Sequence, residues 1–574
     1  MSPRIPGAGR LAWGCAPTLV VLVTVAAFLP AVGAGFVNWD DDQNFLRNLH
    51  YRGLGPTQLQ WMLTAYHMGH WTPLTWLTLG LDYTLWGMDP RGYHLTSLLL
   101  HAGAALLFYF LSLRLLRLAL PAGTGKADLR IGAAAAALLF AAHPLRAESV
   151  AWVTERRDVL SGLLALSATL AYLRAVGDQE RRRAGWYWGA VALFAGALLA
   201  KASTLTLPIV LLVLDVYPLR RLGGARGWRE PRVWMEKLPF LILAAAAALV
   251  AFHALAPLGN TPSLRELPVG VRALIGIYGL AFYVLKTLLP FDLSPLYQLP
   301  VGVTWLHFGL VIGGIVLAAA LRRRWPALTA AWGLYVVMLL PVLRLVQGGP
   351  QVVADRYSYL ACLGFTLLAG GAAARRWAGA RVLRAVLAVW IAALGALTWQ
   401  QASVWHDSVT LWSHAVAVNP ESRAAHANLA RAHAAEGRIA AAAAHYEETL
   451  RLSVHQAPYH VIIGELYERG GSDRGAAARF AEALRLTPGL PEACAGLRRL
   501  AGRGAAPPTP GSGLAIQHVA PAAHDDQTPL GSGLEIQHRV EMQDLTPSRP
   551  RPASARADAP GSPRSCDAAA SPWP

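Results

Sequence analysis

The sequence predicts an all-α protein in three parts. These are a polytopic helical membrane domain of about eleven spans over residues 1–404, a short α-solenoid over 405–500, and a disordered tail over 501–574. Three observations lead there. Hydrophobic residues make up 54% of the 574 and charged residues only 15%, where a soluble protein carries roughly 25% charged residues. Apolar runs follow one another as far as residue 404, and lipid, which offers an unpaired backbone amide no partner, leaves the helix as the spanning form. Beyond that point the pattern changes to a repeat of 34 residues.

The first run extends from Leu11 to Gly35 with no charge between Arg10 and Asp40, enough to cross a ~30 Å hydrocarbon core. Val32-Gly33-Ala34 has the small residues of a signal cleavage site. The apolar stretch, however, exceeds the roughly 7–15 residues of a signal-peptide core, so an uncleaved signal-anchor is expected. Further runs fall at about 92–113, 129–145, 159–173, 184–200, 202–219, 238–256, 273–289, 303–321, 325–343, 357–374 and 385–404. The net charge of +17 does not point to nucleic acid, because the basic residues form no stripe. They sit in short clusters between runs, such as Arg181–Arg183, Arg220-Arg221, Arg322–Arg324 and Arg375-Arg376, as cytoplasmic anchors do. Three runs separate the Arg220 and Arg322 clusters, which should share a side, so one run is expected not to cross. The run at 273–289, bounded by Arg272 and Lys286 and carrying Tyr278 and Tyr283, reads as interfacial or re-entrant. The amino terminus is then inside and everything after residue 404 outside. The four cysteines, Cys15, Cys362, Cys494 and Cys566, show neither metal-ligand spacing nor a disulfide pattern, so zinc and redox chemistry are not expected.

In the solenoid, Ile463, Gly464, Tyr467, Ala476, Phe480, Ala483 and Pro488 recur 34 residues after Leu429, Ala430, His433, Ala442, Tyr446, Thr449 and Val454. Trp412, Ala415 and Pro420 form a half-repeat ahead of them, and a helix near 491–500 would cap the stack. The spacing resembles the tetratricopeptide repeat, a helix pair whose small residues allow close packing. The tail, rich in Pro, Ala, Ser and Arg, carries a small duplication at 511–518 and 531–538.

Polar clusters converge on the outer face of this topology. Asp40, Asp41 and Asp42 follow the first run; Glu148, Glu155, Arg156, Arg157 and Asp158 occupy the second outer loop. Lys201 stands at the junction of two spans, and Asp355-Arg356-Tyr357-Ser358-Tyr359 opens a late one. Such a set suits transfer from a lipid-carried phosphosugar: a carboxylate takes or orients the acceptor proton, while Arg and Lys neutralise the departing phosphate. Arg adds directional donors to its charge. Plainer roles stand beside these. Arg156 and Arg157 could anchor a helix start, Lys201 could snorkel to the interface, and Asp215 reads as a helix-end packing residue. His94 and His101, on one helical face, read as inter-helix hydrogen-bond partners rather than metal ligands.

The order of motifs resembles the transmembrane and tetratricopeptide-repeat proteins, a protein O-mannosyltransferase-like branch of the type C glycosyltransferases. The strings that carry the resemblance are Phe36-Val-Asn-Trp-Asp-Asp-Asp42, His70-Trp-Thr-Pro-Leu-Thr-Trp76, Gly92–His101, His143–Val150 with Arg156-Arg-Asp158, and Asp355–Leu360. The resemblance implies a multi-span helical fold, a polyprenyl-phosphate-linked sugar as donor, a non-cytoplasmic active face and inversion at the anomeric centre. It makes Asp40 and Asp41 the catalytic pair, matches Glu148 and Asp158 to the acidic positions of the second loop, and matches Arg356 to a late-loop Arg facing the donor phosphate; Arg156, Arg157 and Lys201 join them as donor-phosphate or substrate-binding candidates by charge and position alone. His70-Trp-Thr-Pro lacks the Arg that often precedes Pro-Leu in relatives, Asp355 stands where Glu is common, and the repeat array is short.

The sequence therefore reads as an integral-membrane glycosyltransferase, its repeats recruiting an acceptor whose Ser or Thr hydroxyl takes the sugar. The alternative is a non-enzymatic membrane-anchored scaffold, which should tolerate Asn at Asp40 and Asp41. A transporter would place ionisable residues in mid-span, whereas here they cluster at span ends. No metal ligand is assigned. Neighbouring acids could hold a divalent cation, yet two carboxylates also suffice for base chemistry alone.

Overall fold

The computed structural model describes residues 8–177, 184–223, 227–256, 267–298, 303–343, 351–376, 379–454 and 456–503. The tail from 504, with its duplication, lies outside the described residues. The chain divides into two compact units, residues 1–407 and 408–574. Among the described residues both are helical and contain no strand.

The first unit begins with α1 (Ala8–Val32), then two short helices, α2 (Pro56–Thr64) and α3 (Pro73–Trp86), and the long α4 (Pro90–Ala119). There follow α5 (Lys126–Ala141), α6 (Ala147–Ala151), α7 (Arg156–Val176), α8 (Ala184–Ala200), α9 (Leu207–Val216), α10 (Pro231–Met235) and α11 (Leu238–Leu255). The unit closes with α12 (Val269–Leu288), α13 (Trp305–Ala320), α14 (Pro326–Leu339), α15 (Leu363–Ala373) and α16 (Ala380–Val404). Among the described residues six helical segments are long and apolar enough to cross a membrane, or seven if the bent pair Lys126–Ala141 and Pro144–Ala151 counts as one, so this unit is a multi-pass membrane domain. The expectation was about eleven. The difference lies in shorter apolar helices of 10–17 residues, such as Ala184–Ala200 and Pro326–Val342, which fall below the roughly 20 residues a perpendicular span takes. The run expected to be interfacial, by contrast, forms α12, one of the six.

Close helix contact comes from small residues, as it does where lipid supplies no hydrophobic drive. A side chain at Gly132 of α5 would stand 2.4 Å from the Gly370 carbonyl of α15, and one at Gly370 would stand 2.3 Å from the Gly132 carbonyl. Between α5 and α7 the chain does not run straight. Short turns at Pro144–Arg146 and Val153–Glu155 flank α6 and return the chain to α7 with its charged residues at the entry.

The second unit contains α17 (Ser408–Val418), α18 (Arg423–Ala435), α19 (Ile439–Arg451), α20 (Ala457–Arg469), α21 (Asp473–Leu486) and α22 (Pro491–Gly502). The starts of α18 and α20 stand 34 residues apart, as do those of α19 and α21. Ile463, Ala476, Phe480 and Ala483 are all fully buried. Gly464 lets α20 lie on Phe480, whose ring would be 2.7 Å from an added Cβ. Gly464→Ala should therefore destabilise this unit by about 1–3 kcal/mol through overpacking. The check is limited proteolysis of the full chain, which should speed up within residues 457–486.

Candidate functional site

After α1 the chain turns sharply at the three aspartates, and the structure gives them different surroundings. Asp41 is fully buried and saturated. Its Oδ2 accepts from Val37 N at 3.1 Å, and its Oδ1 accepts from Thr154 N at 3.1 Å and Thr154 Oγ1 at 2.6 Å. Asn44 Nδ2 in turn donates to Thr154 Oγ1 at 2.9 Å. Asp41 thus ties the loop after α1 to the turn before α7. Asp40 is half-buried, and its carboxyl makes no hydrogen bond among the described residues. Its backbone has φ 139°, a region that non-glycine residues enter only under strain. Its carbonyl holds the turn by accepting from Gln43 N at 3.1 Å and Asn44 N at 2.8 Å. Burial pushes both carboxyls up to about 7, against the pull of Arg157 and Arg356 on Asp40 and of the Thr154 and Val37 hydrogen bonds on Asp41. An acid poised there suits proton transfer at neutral pH. Asp42 opens the short turn Asp42–Leu46.

Behind this loop lies an ion network centred on Glu155, whose side chain is wholly inaccessible. Arg157 Nη2 reaches Glu155 Oε1 at 2.6 Å, Lys201 Nζ reaches Oε2 at 2.7 Å, and Arg356 Nε reaches Oε1 at 3.2 Å. Lys201 also pairs with Asp158 Oδ1 at 2.7 Å. Arg356 pairs closely with Glu148, which also accepts from its backbone N at 2.8 Å, and its guanidinium donates to Gln351. Arg157 and Lys201 keep 15% and 16% of their side chains accessible, so the network has an open side. Trp39, Trp152 and Trp405 stack beside it, with Trp152 5.6 Å from Trp405 and 6.4 Å from Trp39. The Arg356 guanidinium lies 5.5 Å over the Trp152 ring.

Of the residues expected at the site, Glu148, Arg157, Asp158, Lys201 and Arg356 come together, and Asp40 lies within electrostatic range of Arg157 and Arg356. Arg156 does not join them. It is fully buried on the other side of the α7 entry, paired closely with Asp82, donating to the Tyr93 carbonyl at 2.6 Å and to Ser97 Oγ at 3.3 Å. Consecutive residues at a helix start point about 100° apart, so neighbouring arginines face different partners. Glu155 stands in the second-loop cluster of the sequence but receives no role of its own there, although it directly precedes the Arg pair. The one signal for it was an acid at the mouth of a span. Asp82 and the Trp stack gave no signal at all. His101 joins two helices through the Ala141 carbonyl of α5 at 3.1 Å and also bonds Tyr359 at 2.8 Å, whereas His94 bonds not a helix but the Gly35 carbonyl, in the loop after α1, at 3.3 Å. Asp215 is buried at the end of α9 against Arg221 and Lys237, away from the network. Among the described residues, no group of three or more His, Cys, Asp or Glu side chains is placed to hold a metal ion.

Comparison with known proteins agrees with the motif order. The protein O-mannosyl-transferase Tmtc3 of Drosophila melanogaster is 26% identical over 466 residues, covering 69% of this chain and 50% of that protein. Over that length the chain is similar to a protein O-mannosyl-transferase. Tmtc1 of Drosophila melanogaster is 32% identical over 215 residues, covering 35% of this chain and 22% of that protein. The tmtc2 protein of Xenopus laevis is 34% identical over 152 residues, covering 26% and 17%. The chain thus spans half the length of Tmtc3 and a smaller share of the other two. No family model matches it. The solved structure of ArnT from Cupriavidus metallidurans, bound to undecaprenyl phosphate, aligns over 83% of this chain and 81% of that one. At 16% identity and a TM-score of 0.34 that likeness carries no weight here.

Proposed function

We propose that the membrane unit is a glycosyltransferase that moves a sugar from a polyprenyl-phosphate donor to a hydroxyl acceptor at the face bearing the Asp40 turn. The observation that carries this reading is the Asp40 carboxyl, which makes no hydrogen bond among the described residues and is raised to about 7 by burial, within electrostatic range of Arg157 and Arg356. The acceptor oxygen attacks the anomeric carbon and its proton passes to Asp40. The bond from that carbon to the phosphate oxygen breaks, its electron pair leaving with the phosphate. Arg157, Lys201 and Arg356 stabilise the charge that develops there, and Asp41 holds the turn in register through Thr154. A single displacement of this kind inverts the anomeric centre.

The names of the relatives favour mannose as the sugar and a protein Ser or Thr as the acceptor, and the 34-residue helix pairs suit recruitment of a polypeptide. The Asp40 face is the non-cytoplasmic one in this reading, where the charge placement puts it. The test supplies the protein in membranes with a panel of radiolabelled polyprenyl-phosphate sugars and follows label into protein or added peptide. The native chain should transfer label from one donor. The Asp40→Asn/Asp41→Asn variant, expressed equally, should not, and turnover retained in it would overturn the reading.

A further inference from the structure

The ion network behind the Asp40 turn is balanced within itself. Arg157, Lys201 and Arg356 are paired with Glu148, Glu155 and Asp158, three cations against three carboxylates. One more cation stands next to it. Arg146 ends the turn Pro144–Arg146, two residues before Glu148, and that turn packs directly on the turn Asp355–Ser358, which carries Arg356. The Arg146 guanidinium lies 5.6 Å over the Phe140 ring of α5 and 5.7 Å over the Tyr359 ring. Tyr359 is itself held by His101, 2.8 Å from its hydroxyl. The two turns are tied together by Glu148, which accepts from both the backbone N and the guanidinium of Arg356.

What sets Arg146 apart is that no acid answers it. Its side chain is 2% exposed, its Nε and Nη1 find no hydrogen-bond partner, and among the described residues no carboxylate lies within ion-pair distance. Two ring faces and the neighbouring Cys362 thiol, a weak acceptor, compensate it only in part. The acid of the facing turn, Asp355, is engaged elsewhere, its Oδ1 accepting from Tyr297 Oη at 2.7 Å. Burial and the Glu148 charge push the Asp355 carboxyl well above the usual carboxylate range, which favours its neutral form. Arginine, by contrast, stays charged when buried. A buried charge without a partner costs stability, and such local violations persist where function uses them. The use that fits is a field, because in a site sheltered from water a unit charge acts well beyond contact. An entering phosphate gains little from cations that are already compensated and most from the one that is not.

We propose that Arg146 supplies the net positive charge of this site, an uncompensated guanidinium whose field holds the phosphate of a polyprenyl-phosphate donor at Arg356 without touching it. The proposal rests on the donor reading above and makes Arg146 a positioning residue for the donor. Its pull strengthens as the sugar departs, since the negative charge on the phosphate grows at that moment.

The test uses the full chain in lipid nanodiscs at pH 7, with undecaprenyl phosphate and uncharged undecaprenol as probes. It compares native protein with Arg146→Met, which keeps an apolar stem and removes the charge. A second variant, Cys362→Asp, leaves Arg146 in place and sets a carboxylate beside it. The native chain should prefer the phosphate. Each variant should bind it about tenfold more weakly, the scale of a unit charge acting through roughly 10 Å at an effective dielectric of about 20, with undecaprenol binding unchanged. Arg146→Met should melt no lower than native protein, because it removes an unpaired buried charge. An Arg146→Met variant that binds the phosphate as well as native protein overturns the proposal and leaves the donor reading standing. So does one that melts lower and loses both probes equally, the mark of a structural role. Full phosphate binding by Cys362→Asp beside its loss in Arg146→Met would assign the effect to shape rather than charge, and the proposal falls. A native chain that binds both probes alike overturns the donor reading and the Arg146 proposal together.

Discussion

Asp40→Asn lowers sugar transfer by roughly 10²–10⁴-fold, the usual contribution of a general base, and leaves the membrane unit folded. The carboxyl it removes makes no hydrogen bond among the described residues, and Asn matches Asp in shape, so it adds nothing to the strain of the φ 139° turn. The pH dependence follows from the same carboxyl. Only the carboxylate can take the acceptor proton, and burial raises Asp40 from 3.8 to about 7. Transfer by native protein should therefore climb as pH rises through about 7 and then level off.

Stability should move the other way. Between about 4 and about 7 the folded chain holds a proton that the unfolded chain has lost, so stability falls as pH rises across that window. Asp40→Asn abolishes this term. The variant should resist heat better than native protein at pH 8, with the difference closing as pH falls towards 4. Asp40→Gly should be at least as heat-resistant as the Asn variant, because it also relieves the φ 139° strain. A thermal melt of each variant across pH, set beside the transfer assay, checks both halves. A variant less stable than native protein at pH 8 would assign Asp40 to structure.

Glu155→Gln should be the most disruptive single change in the membrane unit. Its carboxylate holds Arg157, Lys201 and Arg356 at 2.6, 2.7 and 3.2 Å, and its side chain is wholly inaccessible. Removing the charge leaves those three cations facing one another with only Glu148 and Asp158 to compensate. Breaking a buried pair in this way costs about 3–5 kcal/mol. The variant should express poorly and lose its turnover. Adding Lys201→Met removes one surplus cation and should recover folding, seen as a restored monodisperse peak in detergent and a higher melting temperature. Turnover should stay absent, because a cation of the network has gone with it. Recovery of folding and turnover together would show that Glu155 and Lys201 serve only the fold.

The helices were legible wherever an apolar run was long and uninterrupted. The run at 92–113 lies within α4 and the run at 385–404 within α16, since burial in lipid is written residue by residue. The number of spans was less so. The short helices around residues 184–216 read as full runs, while a turn at Ala202–Thr206 that separates α8 from α9 carries no strong signal of its own. At the site, the acids and bases were visible as types at the ends of runs, but not their pairing. Arg156 and Arg157 are adjacent in sequence, and one joins Asp82 while the other joins Glu155.

The sequence by itself determined an all-helical chain dominated by apolar spans, an acidic turn after the first of them, and helix pairs repeating at 34 residues. Each follows from local composition and period. Only the tertiary structure decided that Glu148 meets Arg356 across 208 residues, that Glu155 meets Lys201 across 46, and that Asp41 is spent on Thr154 while Asp40 stays unbonded. The physical reason is that an ion pair forms wherever packing removes water from two opposite charges. Helix packing sets that place, and no spacing along the chain encodes it.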